Sequence, residues 1–177
     1  MPLPPLTTAR LLLRQRHIND VAAILAMNSD PEVMRFVGDG RMPDPVELER
    51  RTRARVDADF GMGLGYWSVF ARERPDDYLG YVVLSPVPES ADIEISYGIR
   101  RDAWGQGFAT EAARAGLDFA FRVRALPEVV ALVYPANLKS QRVIAKLGFQ
   151  PAGKRHAYGK DLLIYRLARD SYLGSGT

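Results

Sequence analysis

The period of apolar and polar positions changes several times along the chain. Leu11, Leu12 and Leu13 predict a first strand, and Asp20 then opens a helix carrying Val21, Ile24 and Leu25 at helical spacing. A loop with Gly38, Gly40 and Pro43 leads into a helix over 47–55. There Glu47 and Glu49 precede Arg51 and Arg53 by four residues, and Arg53 and Arg55 precede Asp57 and Asp59 likewise, while Leu48, Thr52, Val56 and Phe60 form the less polar stripe. Beyond Gly61, Gly63 and Gly65 come strand-like runs over 66–71, 79–84 and 92–99, separated by turn-rich stretches at 74–77 and 86–90. Spacing this short suits an antiparallel meander. A helix over 107–123, a β-branched strand over 129–134, a helix over 138–147 and a last strand over 160–168 complete the pattern. Strand, helix and buried strand imply one right-handed parallel crossover at the end of the meander. The expected fold is therefore α/β in the mixed α+β sense, a mostly antiparallel sheet with one parallel β-α-β crossover and helices on both faces. No repeat, low-complexity stretch or long linker divides the chain. Residues 1–177 read as one domain with frayed ends at 1–5 and 174–177.

Composition narrows the chemistry. A chain of 177 residues with 47% hydrophobic content buries about 70% of its unfolded surface and needs no staples. The absence of cysteine excludes disulfides, a Cys-based zinc site, an iron–sulfur cluster and a thiol nucleophile from the protein itself. The charge excess is small, 24 Lys+Arg against 21 Asp+Glu. The basic run over 47–55 is laced with acids, so it reads as a solvated, ion-paired helix face and no nucleic-acid partner is expected. No apolar run approaches the ~18–20 residues that cross a bilayer, so no membrane partner is expected and the cytoplasm is the expected location. His17 and His156 are isolated, without metal spacing, and Trp67 reads as a core strand residue.

Two stretches carry candidate chemistry. Residues 93–113, IEISYGIRRDAWGQGFATEAA, read as a strand, a glycine-containing turn and a helix. Gly105 and Gly107 let the backbone turn tightly and approach a ligand, and the first amides of the helix lack intrahelical partners, which makes an anion site. Residues 137–149, NLKSQRVIAKLGF, read as a helix with Asn137 as N-cap and Gly148 just past its end. Ser140 shares a face with Val143, Ile144 and Leu147. An inward hydroxyl there needs a partner, either the Asn137 cap network or a ligand.

At these stretches the sequence resembles the GNAT superfamily of acetyl-CoA-dependent N-acetyltransferases, in particular its branch of ribosomal-protein N-terminal acetyltransferases. The family's pyrophosphate motif falls on Trp104, Gly105, Gln106, Gly107, Phe108 and Ala109, with Trp104 in the form familiar in this branch. The downstream motif matches Asn137, Ser140, Lys146, Gly148 and Phe149, and SDPEVMRFVG and ARLLLR also look like this branch. The resemblance covers about residues 8–168. It implies that the strands over 92–99 and 129–134 splay, and that the pantetheine arm of coenzyme A lies between them with its pyrophosphate on the turn at Gly105 to Thr110.

The resemblance also implies direct acetyl transfer to an amine in a sequential ternary complex, the thiol arriving with the cofactor. Glu94 is the candidate base, acting directly or through water, with an exposed strand carboxylate as the alternative. Backbone amides near Tyr97 to Ile99 are the expected oxyanion donors. Many GNAT proteins use a tyrosine as general acid where this chain has Ile144, so that role does not carry over. In the branch resembled, the position of Ser140 is proposed to protonate the thiolate and that of Asn137 to contact the cofactor; Tyr134 is the reserve acid. Lys139, Arg142 and Lys146 are candidates for the 3′-phosphate, or else a solvated cationic face. The acceptor, a protein N-terminus or a small amine, falls to the loops around 30–42 and the C-terminal strands, where Asp30, Glu32 and Asp39 are offset by Arg35 and Arg41. A monomer or homodimer is expected by analogy. The competing class is a non-catalytic acyl-CoA-binding sensor, supported by Ile144. A nicotinamide-dinucleotide enzyme fits poorly because the fingerprint is incomplete.

Overall fold

A computed structural model describes residues 2–174 apart from 39, 57, 59 and 62. The chain begins with strands β1 (Leu6–Thr7) and β2 (Leu11–Gln15) and three helices, α1 (Val21–Asn28), α2 (Pro31–Met34) and α3 (Pro45–Ala54). The meander β3 (Gly65–Ala71), β4 (Arg74–Pro86) and β5 (Ile93–Ile99) follows. Then come α4 (Phe108–Asp118), β6 (Glu128–Val133), α5 (Leu138–Lys146), β7 (Gln150–Ala157), β8 (Lys160–Ala168) and α6 (Arg169–Gly174). One eight-stranded sheet results, in the order β1-β2-β3-β4-β5-β6-β8-β7, with β5–β6 its parallel pair. The mixed sheet and the crossover expected from the hydrophobic pattern are both present.

The main core lies between the sheet and α4 and α5. Leu11, Leu13, Trp67, Val69, Val82, Leu84 and Ile95 meet Ala112, Ala113, Leu117, Ile144 and Leu147. Small residues let α4 sit close: a Cβ on Gly116 would lie 2.9 Å from Val82 Cγ1. Trp67 is fully buried, and its indole N–H donates to Pro4 O at 2.9 Å. The other face carries α1, packed through Ile24 and Met27 on Phe70 and Tyr78. In α3, Asp44 caps the first amides and Pro45 starts the helix. Glu47 pairs with Arg50 and Arg51 and Glu49 with Arg53, while Thr52 and Val56 are buried. The expected partners Asp57 and Asp59 lie outside the described residues. Among those residues no helix is long and apolar enough to cross a membrane.

Several elements differ from expectation. Residues 74–77, read as a turn, extend β4, because Ala71 pairs with Arg74 after a bulged register and Asp77 is held by Arg74 and Arg100. β7 shows no alternation because it is a mostly exposed edge strand with a register shift between Pro151 and Lys154. β1, α2 and α6 are too short for periodicity to reveal. The helix expected over 107–123 is α-helical only to Asp118 and ends in a π-turn over Phe119–Val123. The expected fraying at 1–5 does not extend to Leu3, which is buried and donates its N–H to Gln15 Oε1 at 2.8 Å. Residues 1 and 175–177 lie outside the described residues.

Candidate active site

The centre of the sheet opens between β5 and β6, neighbouring strands that run in the same direction. β5 and β6 register at Glu94↔Val130, whereas β4–β5 pairing runs on to Gly80↔Ile99. Arg100 N–H donates to Leu79 O at 2.8 Å. Antiparallel pairing alternates, so residues 94, 96 and 98 exchange hydrogen bonds with β4, and the backbone of Tyr97 and Ile99 turns toward β6. Beyond Glu94 these groups meet an opening. The Ile99 carbonyl is taken by Trp104 Nε1–H at 2.6 Å; the Tyr97 and Ile99 amides face the gap.

The glycine turn closes one end of this opening. Gly105 and Gly107 have φ of 77° and 84°, the left-handed region, and a Cβ on Gly105 would meet nothing within 4 Å. Gly107 is the N-cap of α4 and has no side chain with which to cap it, so the amides of Phe108, Ala109 and Thr110 project without intrahelical partners. Sequence reasoning missed the buttress behind them. Arg10 lies over the Phe108 ring at 4.5 Å, donates to Gln106 O at 3.0 Å and pairs with Glu111, which also accepts from Thr8 Oγ1. Gln106 turns its side chain back to Asp102 O at 3.4 Å. Trp104 braces the turn through its bond to the Ile99 carbonyl, with Lys139 Nζ 4.3 Å from its ring centroid. Arg142 and Lys146 stand on the exposed side of α5.

Ser140 is half-buried at the first turn of α5. Asn137 caps that turn, its Oδ1 accepting the Ser140 N–H at 3.1 Å. The Ser140 hydroxyl is 2.9 Å from the Tyr97 hydroxyl, a side-chain partner that neither the cap nor a ligand supplies and that sequence spacing did not reveal. Burial pushes Tyr97 up to about 12, with the Ser140 hydrogen bond opposing the shift.

Glu94 occupies the opposite face of β5. It is 6% exposed, so the reading as an exposed strand carboxylate is overturned: the hairpin joining β7 and β8 covers it. Tyr158, at the tip with φ of 54° and followed by Gly159 at 71°, donates its hydroxyl to Glu94 Oε1, and Ser85 Oγ stands 3.5 Å from the same oxygen. Burial raises the Glu94 pKa above the ordinary glutamate value, and the bonds from Tyr158 and Ser85 work against that rise. Burial, and then the bond to Glu94, push Tyr158 upward as well. The Tyr158-Gly159 pair was a readable turn signal, but its reach to Glu94 was not.

The remaining candidates are dispersed. The Tyr134 hydroxyl donates to Gly38 O at 2.6 Å and accepts from Lys160 Nζ, so this reserve acid is already engaged. Asp30 caps α2 through Glu32 N–H and lies 3.8 Å from Arg101, while Arg35 lies over the Phe36 ring. Asp39 lies outside the described residues. His17 Nδ1 accepts from Asn19 N–H, and His156 pairs with Asp161 at 2.8 Å.

A strand pair that opens onto an uncapped, glycine-led helix has a known counterpart. The profile of the acetyltransferase (GNAT) domain matches residues 10–150. The chain belongs to the GNAT acetyltransferase family. This GNAT protein is 27% identical to the uncharacterised N-acetyltransferase p20 of Bacillus licheniformis, over 96% of this chain and 98% of the relative. It superposes on an acetyltransferase from Agrobacterium tumefaciens with a TM-score of 0.80 at 26% identity, covering 94% and 95% of the two chains. Spermidine N-acetyltransferase from Vibrio cholerae, solved with CoA and spermine, shares the fold with a TM-score of 0.75 at 20% identity, over 94% of this chain and 99% of that one. The GNAT chain is thus an acetyl-CoA-dependent acyltransferase by family.

Proposed function

We propose that this GNAT protein transfers an acetyl group from acetyl-CoA directly to a primary amine within a ternary complex. The observation that carries this reading is the pair of half-sites on opposite faces of one gap, the buried Glu94 on one side and the Tyr97–Ser140 hydroxyl pair on the other. The amides of Phe108, Ala109 and Thr110 would hold the pyrophosphate, and the Tyr97 and Ile99 backbone the pantetheine arm and the developing oxyanion. With Asn137 positioning Ser140, Arg142, Lys146 and Lys139 are left for the 3′-phosphate.

In the step itself the amine nitrogen attacks the thioester carbon, its proton passes to the Glu94 carboxylate, and the carbon–sulfur bond breaks. The departing thiolate takes the Ser140 hydroxyl proton; the Tyr97 hydroxyl passes its own to Ser140 as solvent returns one to Tyr97, and Glu94 releases to solvent the proton it took from the amine. A raised Glu94 pKa brings this base closer to the acidity of the ammonium it must neutralise. The acceptor is a small amine or a peptide N-terminus, the latter being what the resemblance to the ribosomal-protein branch suggests.

Calorimetry with acetyl-CoA and thiol release against an amine panel test the proposal. Binding with turnover is the expected result, and failure to bind either acetyl-CoA or CoA overturns it. Ser140→Ala should lower kcat by about 10- to 100-fold with little change in acetyl-CoA affinity; a loss confined to affinity would make Ser140 a binding residue only. Ile144, where many family members carry a tyrosine, favours a second reading as an acyl-CoA sensor. Tight binding without turnover on any amine would select it.

A further inference from the structure

Arg14 and Arg16 project from β2 and its C-terminal extension onto the same face as Glu94, but only one has a counter-charge. Arg14 is matched by Asp20, with donor–acceptor distances of 2.6 and 3.0 Å, and Asp20 also accepts from Ser68 Oγ and His17 N–H. Arg16 is 6% exposed, yet among the described residues no carboxylate pairs with its guanidinium. Its Nε is enclosed and unpartnered, and the buried Tyr78 hydroxyl beside the guanidinium is a neutral neighbour that supplies no counter-charge. The guanidinium is stacked 4.0 Å from the Tyr66 ring centroid and 5.5 Å from that of Tyr81. A buried guanidinium in this state is costly unless an anion reaches it.

Its place in the sheet says which anion. Arg16 N–H donates to Tyr66 O at 3.0 Å, and Tyr66 pairs with Val83, which pairs with Ser96. That row runs beside the one holding Ser85 and Glu94. Stacking on Tyr66 and Tyr81 carries the cation over β3 and β4, about one to two strand spacings, ~5–10 Å, from the Glu94 strand. Tyr81, its acidity weakened first by burial, sits within the influence of Arg16, Arg55 and Glu94 alike.

We infer that Arg16 anchors a carboxylate of the acceptor, so that the acceptor class is a primary amine joined to a carboxylate by a several-atom spacer. This rests on the amine-acetylation reading for the role of Glu94, but the anion site itself does not. The two ends of such a molecule would pair with the two charges already fixed on this face, the amine with Glu94 and the carboxylate with Arg16. A polyamine would leave Arg16 uncompensated and bring like charge against it.

The test measures kcat/KM at matched free-amine concentration for β-alanine, γ-aminobutyrate and ε-aminocaproate, each against its uncharged amide. A peptide with glutamate as its second residue is compared with the glutamine form, to separate a free from a peptide-borne carboxylate. Expected is a preference for the carboxylate member of at least one pair by about 10- to 100-fold, abolished in Arg16→Met and partly kept in Arg16→Lys. Calorimetry of the N-acetylated products against the CoA-saturated protein reads the anion site without turnover. Thermal stability separates function from scaffolding: Arg16→Met should equal or exceed the parent in Tm, because an apolar isostere relieves an unpaired buried charge. Equal use of acid and amide in every pair, no binding of any carboxylate, or unchanged preference in Arg16→Met would overturn the inference. Loss of acetyl-CoA binding alone would overturn the transferase reading instead.

Discussion

Glu94 shows how burial changes what a side chain can do. In the folded chain its carboxyl is held above the ordinary glutamate value, first by burial. Its contribution to stability is therefore complete below the unfolded pKa and is lost as pH rises through the folded one. Above that window the ionised carboxylate is a standing cost. Glu94→Gln should accordingly raise Tm at neutral pH while lowering kcat by about 10²- to 10⁴-fold, measured by calorimetric melting and by steady-state thiol release. A fall in Tm would mean that the bonds from Tyr158 and Ser85 outweigh desolvation.

Tyr158 acts on the same group from a strained position, a non-glycine residue at φ of 54°. Its hydroxyl donates to the carboxylate and so favours the charged form. In Tyr158→Phe the acidic limb of the kcat/KM profile should move to higher pH while acetyl-CoA affinity is unchanged. An unmoved limb would assign the limb to a group other than Glu94.

At the scale of elements, α4 binds through what its first turn lacks. A capping side chain at Gly107 would consume amides that here stay free, and the buttress of Arg10, Thr8 and Glu111 steadies the turn from behind without filling it. Gly105→Ala tests this. Its left-handed φ costs a Cβ-bearing residue about 1–2 kcal/mol, while the space around it is open. The expected outcome is a modest loss of Tm together with a clear loss of acetyl-CoA affinity by calorimetry; unchanged affinity would move the pyrophosphate away from this turn.

The regular charge spacing of α3 belongs to an element outside the proposed chemistry. Its ion pairs are exposed and Glu47 is held below its ordinary value first by Arg50, yet such pairs contribute little to stability. Legibility and function are separate properties here, since the helix readable from charge spacing is a solvated face. The edge strand β7, illegible because exposure removes alternation, helps form the hairpin that covers Glu94.

Across the whole molecule, the polar cluster joining the β2 end to α1 ties the N-terminal helices to the sheet. Burial works to raise Asp20, but hydrogen bonds from Arg14, His17 N–H and Ser68, with the Arg14 charge, together hold it below the ordinary aspartate value. Its stabilisation is present above the unfolded pKa and is lost as pH falls through the folded one. Asp20→Asn should cost about 2–4 kcal/mol in denaturant unfolding and flatten the acid side of the stability profile. An unchanged midpoint would show that Arg14 is satisfied by solvent.

The sequence by itself determined the longer strands and helices and their succession, the glycine turn, the Asn137 cap and the inward face of Ser140, because each depends on periodicity or on neighbours a few residues apart. Only the tertiary structure decided that Ser140 meets Tyr97, that Glu94 is buried beneath Tyr158, and that Arg16 stands without a counter-charge while Arg14 has one. Those outcomes depend on strand register and hairpin placement, which bring together residues 43, 64 and more positions apart. A side chain's own chemistry is written in the chain, but its desolvation and its partners are set by which distant strand or hairpin is folded over it.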